Sequence, residues 1–138
     1  MLTVSADHLC KHALSSSSST EPTKEWLEAL SKLGPDRNIF MKLSGAFNEF
    51  DNATPSSTSD IVKSLSSIVP KIFKAFPERV MFGSDWPVCN AGGPAGEKGN
   101  WGLWVESVVL MLKEGKVEEA EAESVWWKAG SRAYGVQL

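Results

Sequence analysis

Hydrophobic positions along this chain change period several times, and each change marks an element. Leu2 to Ala6 is a short apolar-leaning run that ends in Asp7-His8. "NIFMKL", over 38–43, alternates and then closes in Ser44-Gly45, and Val80 to Ser84 is a third run of this kind. These three predict strands. Between them the spacing becomes helical. Pro22 opens a segment with Trp26, Leu27, Leu30 and Leu33 on one face, and Gly34-Pro35 ends it. Ile61, Leu65, Ile68, Ile72 and Phe76 form a second helical face, with Ser59 or Asp60 as its expected cap. Pro70 interrupts that pattern and predicts a kink or two consecutive helices. Trp104 to Lys113, stopped by Gly115, and Val117 to Trp127 read as further helices. The serine run 15–19, the polar stretch "NEFDNATPSSTSD" and the glycine-rich 92–99 read as loops.

Strands separated by helical crossovers pair in parallel. The expected class is therefore α/β, with parallel strands near 2–6, 38–43 and 79–84, adjacent in chain order and covered by helices on one side. In such folds ligands bind beyond the carboxyl ends of the strands. Here those ends read "ADH", "KLSG" and "GSDW", so His8, Lys42 and Asp85 are expected on one edge of the sheet, opening into one concave face. An aspartate just past an apolar strand is desolvated, which raises its pKa, while a cation beside it lowers it. Either way the group suits metal binding or proton transfer. Pro87 cannot continue a ladder and stops the strand. The plainer readings stand beside these. Asp85 fits a turn or helix cap, His8 a surface or packing histidine, and Lys42 a snorkelling side chain. Trp86 and Trp101 fit core or pocket-wall aromatics.

Composition narrows the field. A net charge of -3 leaves no basic footprint for nucleic acid. No apolar run approaches the ~18 residues of a membrane span, and the N-terminus lacks the pattern of a signal peptide, so a cytoplasmic protein is expected. Cys10 and Cys89 are too few for a disulfide framework and read as reduced thiols.

"RVMFGSDWPVCN", "NIFMKLSGAF", the Asp-His start and the closing "SRAYGVQL" together resemble the amidohydrolase-related family (amidohydrolase 2), most of all its sugar-lactonase branch. The resemblance spans nearly the whole chain. It implies a partial TIM (β/α)₈ barrel made of its last three strand–helix units, with residues 1–138 as the C-terminal part of the barrel domain. It also implies Asp85 and His8 as catalytic residues and as ligands of a divalent metal such as zinc, with a metal-free site as the alternative. Trp86, Lys42 and Ser44 would bind a small-molecule substrate. The implied reaction is hydrolysis of a sugar lactone with Asp85 as general base. Decarboxylation, as elsewhere in the superfamily, and an inactive barrel fragment are the alternatives. The chain departs from the family pattern at Cys10, where glycine is usual, at His12 in place of proline, and at Ala129 in place of asparagine. A complete barrel takes about 250 residues, and His8 and His12 are the only histidines, so an early His-x-His pair has no counterpart. The isolated chain is expected to be incomplete and to offer open sheet edges for self-association.

Overall fold

The computed structural model describes residues 3–88 and 93–137, so the sequence readings at Leu2, Cys89 and Gly92 lie outside the described residues. Strands β1 (Val4–Ala6), β2 (Ile39–Leu43) and β3 (Val80–Phe82) form one sheet in the order β1-β2-β3. Both pairings are parallel, with Ser5 opposite Phe40 and Lys42 opposite Met81. Helix α1 (Lys24–Leu33) lies between β1 and β2 in the chain, and helices α2 (Thr58–Leu65) and α3 (Val69–Ala75) lie between β2 and β3. Each crossover is long enough to return the chain to the same end of the sheet, as parallel pairing requires.

The two faces of β2 part company. Met41 and Leu43 point into the main core with Leu30, Ile61, Leu65, Ile72, Val80 and Val108. Phe40 points the other way and packs on Met81 and Ala129. Nearly every helix supplies side chains to the first cluster, and burying a Leu, Ile or Phe there contributes about 1.5–3 kcal/mol apiece.

After β3 come α4 (Gly96–Glu114), α5 (Glu119–Glu123), a π-helical turn (Ser124–Lys128) and α6 (Ala129–Tyr134). These correct the expectation of helices on one side only. The turn and α6 pack along β3, and Ala129 and Ala133 close on Phe40 and Met81 across the sheet from the main core. A small side chain at 129 is what permits that approach. Polar contacts fasten the same segment, because Ser124 Oγ and the Arg132 guanidinium both donate to the Glu78 carbonyl.

Other boundaries moved for local reasons. Ser57, rather than Ser59 or Asp60, caps α2, accepting from the Asp60 N–H at 3.2 Å while its hydroxyl donates to the Asp60 carboxylate. Pro70 sits in the first turn of α3, where its missing N–H has no helical partner to lose, so two consecutive helices result. The segment read as a loop up to residue 99 is already helical from Gly96, and the last helical run reaches Tyr134 instead of stopping at Trp127. Among the described residues no helix is long and apolar enough to cross a membrane.

Candidate active site

The three strand ends do converge. Asp7, His8, Lys42, Ser44, Ser84, Asp85, Trp86, Trp101 and Tyr134 line one open cleft of about 640 Å³. Another groove of about 430 Å³, beside α2, α3 and α4, is largely apolar, with Glu114 as the one acid or base among its described lining residues. The strand-end cleft is the one that gathers the predicted residues His8, Lys42, Ser44, Asp85 and Trp86.

His8 follows β1 in an unusual turn. His8, Leu9, Cys10 and Lys11 all have left-handed backbone angles, with φ from 51° to 56°, a conformation that costs L-residues roughly 1–2 kcal/mol each. Cys10, standing where glycine would meet no such penalty, carries part of that cost. Burial offsets it. Leu9 is fully buried, and its carbonyl accepts from the Trp26 indole N–H at 2.9 Å. Burial also pushes the Cys10 thiol up, which leaves it protonated and a poor nucleophile.

The His8 ring then bridges two strands. Its Nδ1 lies 3.0 Å from Ser44 Oγ, just past β2, and its Nε2 lies 3.5 Å from Asp85 Oδ1, past β3. The Asp85 side chain is only 12% exposed and that of His8 27%. Asp85 itself has φ 57°, which aspartate tolerates better than most residues. α4 anchors this strand end, since the Trp104 indole N–H donates to the Gly83 carbonyl at 3.0 Å.

Lys42 occupies the same cleft differently. Its Nζ lies 3.1 Å from Asp7 Oδ1 and 5.8 Å from the centroid of the Tyr134 ring. The Tyr134 hydroxyl, aided by Asp7, outweighs the effect of burial and holds the Lys42 ammonium above its ordinary pKa. Burial pulls the Asp7 carboxyl up, but the hydrogen bonds from Lys42 and Ser5 prevail and hold it below the usual carboxylate value. Trp86 and Trp101, 73% and 54% exposed, stand at the mouth. So all five sequence-predicted site residues, His8, Lys42, Ser44, Asp85 and Trp86, share one cleft. Tyr134 was missed, because α6 folds back across the sheet to reach it and no spacing in the sequence signals that return. Asp7 was visible in "ADH", but its partner was not.

A catalytic zinc takes three protein ligands. Among the described residues no group of three His, Cys, Asp or Glu side chains could hold a metal. His8 and Asp85 supply two donors, so the residues present do not make a complete metal site.

The amidohydrolase family model matches residues 2–136. The chain belongs to that family. It is 30% identical over 132 residues to an L-fucono-1,5-lactonase of Burkholderia multivorans, an alignment covering 94% of this chain and 42% of that protein. An L-fucono-1,5-lactonase of Burkholderia ambifaria is 33% identical over 105 residues, 76% of this chain and 33% of that one. This amidohydrolase chain thus spans less than half the length of the curated relatives it matches. A crystal structure of an amidohydrolase from Burkholderia multivorans with HEPES bound superposes with a TM-score of 0.76 at 25% identity, covering 99% of this chain and 45% of that one. A crystal structure with zinc bound, also of a Burkholderia multivorans amidohydrolase, gives a TM-score of 0.67 at 26% identity over 81% of this chain and 37% of the other. The parallel sheet and its helices are part of a (β/α)₈ barrel of that kind.

Proposed function

We propose that this chain forms the Asp85-bearing part of a site that hydrolyses a small cyclic ester, a sugar lactone. The observation that carries the reading is the meeting of His8 and Asp85, from the ends of β1 and β3, at 3.5 Å in the cleft. The activity for which the two lactonase relatives are named supports the substrate class.

The chemistry follows from the groups present. Asp85 takes a proton from water as the water oxygen attacks the lactone carbonyl carbon. The carbonyl oxygen gathers negative charge, and the His8 imidazole and the Lys42 ammonium are the cleft's donors toward it. Collapse of the tetrahedral species breaks the ring C–O bond. The protonated Asp85 then gives its proton to the leaving alkoxide, and the product is the open-chain hydroxy acid. Trp86 and Trp101 offer flat apolar faces to the carbon skeleton of a sugar ring.

Asp85, His8 and Lys42 stand on three strand ends of a barrel type that has eight, and in such a site a single further missing oxyanion donor typically lowers the rate by ~10²–10³. Purified residues 1–138 are therefore expected to bind a 1,5-sugar lactone, seen as a saturable change in tryptophan emission that Trp86→Ala weakens, yet to hydrolyse it no faster than buffer. Absence of saturable binding would overturn the reading. Turnover above buffer that Asp85→Asn abolishes would overturn the incompleteness and show that copies of the chain complete the site together.

A further inference from the structure

Ser44, His8 and Asp85 form a row, hydroxyl to imidazole to carboxylate. In composition it matches a nucleophile with its base and orienting acid, but the burial rules that use out. Ser44 is 1% exposed, so its oxygen cannot reach an acyl carbon, whereas Asp85 and His8 face the cleft. The hydroxyl has the ring as its partner.

We propose that Ser44 is a positioning residue. It holds the His8 imidazole in the tautomer that carries its proton on Nε2, beside Asp85. The role of that proton in lactone hydrolysis rests on the function proposed above; its placement does not. A carboxylate 3.5 Å from a ring nitrogen attracts an N–H there and repels a lone pair, so the ring nitrogen facing Asp85 is the one that bears hydrogen. In the neutral ring the other nitrogen, Nδ1, is then an acceptor, and Ser44 Oγ at 3.0 Å is its donor. The result is an N–H aimed into the cleft next to a carboxylate that can take a proton, which is the pairing that an acyl-transfer site needs.

The backbone around this contact is shaped for it. Gly45 has φ 67°, and a Cβ there would overlap the His8 ring. A Cβ on Gly83 would come within 2.9 Å of the Ser44 Cβ. Both strand-end glycines thus leave room for the hydroxyl and the imidazole to meet.

His12 supplies an internal contrast. Its Nδ1 lies 2.6 Å from the Ala13 carbonyl, which only accepts, and its Nε2 accepts from the Thr23 N–H at 3.1 Å. It is locked in the opposite tautomer.

The test is a long-range proton–nitrogen correlation spectrum of the imidazoles, recorded without substrate at about pH 8.5, above the ordinary titration range of histidine. Wild type is expected to show His8 with a protonated Nε2 and an acceptor-type Nδ1, and His12 with the reverse. In Ser44→Ala the minor His8 tautomer should rise roughly fivefold, the bias that one hydrogen bond supplies, with His12 unchanged. Gly45→Ala should displace the ring and move the His8 signals while the hydroxyl is still present. A wild-type His8 protonated on Nδ1, or His8 signals identical in wild type and both variants, would overturn the assignment. Neither result depends on whether the chain binds or opens lactones, so a failure here is distinct from a failure of the lactonase reading.

Discussion

Replacing Arg79 probes how the third strand, and with it Asp85, is held. Arg79 is 4% exposed and directly precedes β3. Its Nη1 donates to the Asp36 and Ile39 carbonyls, each at 2.7 Å, and its Nη2 to the Gly34 carbonyl at 2.7 Å and the Ala75 carbonyl at 3.2 Å. One guanidinium therefore joins the end of α1, the start of β2 and the end of α3, with the Phe76 ring centroid 5.2 Å away. Burial pushes its pKa down, and its buried Nε has no partner among the described residues, so part of the gain is offset. The contact to Gly34 is fully buried, and losing that donor costs about 1–3 kcal/mol. The other three are partly buried; water can replace the donor there, and each loss is nearer ~0.5 kcal/mol. Arg79→Met keeps the aliphatic packing and is expected to cost about 3 kcal/mol. A chain of 138 residues has an unfolding entropy of about 0.29 kcal/mol/K near its midpoint, so Tm should fall by about 10 °C. Arg79→Lys can reach one or two of the four carbonyls and should lose about half as much. Circular-dichroism melts with parallel urea titrations measure both. A methionine variant within about 3 °C of wild type, or a lysine variant equal to it, would refute the fork as what fastens this strand.

The Asp7–Lys42 pair gives a pH signature. The Asp7 carboxyl is held below its ordinary value in the fold, so its contribution is present above the carboxylate range and lost as pH falls through the folded pKa. The Lys42 ammonium is held above its ordinary value, so its contribution is present below the lysine range and lost as pH rises through the folded pKa. Urea midpoints of wild type and Asp7→Asn should accordingly differ near neutral pH and draw together as pH falls below the ordinary aspartate range; a difference that does not shrink on acidification would contradict the pairing. At the start of α2, Ser57→Ala removes a cap that satisfies the Asp60 N–H and should cost about 1 kcal/mol in urea titrations. Ser59→Ala, by contrast, should be close to neutral, and the reverse ranking would restore Ser59 as the cap.

Much of this molecule was determined locally and could be read locally. Alternation in "NIFMKL", the helical spacing of Leu65, Ile68 and Ile72, and Pro70 as a breaker each express a preference of a few neighbouring residues, and parallel pairing followed from the length of the crossovers. That His8, Lys42, Ser44, Asp85 and Trp86 share one cleft was legible for the same reason, since each stands where an apolar strand ends and side chains turn from the core to the mouth. Their partners were not legible. That Ser44 meets the His8 ring, that Lys42 lies between Asp7 and Tyr134, and that α6 returns across the sheet to set Ala129 on Phe40 and Met81 are contacts between residues far apart in the chain. Sequence period specifies which way a side chain faces. Only the closing of the chain decides what it faces, because that depends on the volumes and donors brought to the spot by segments with no local signal of their own.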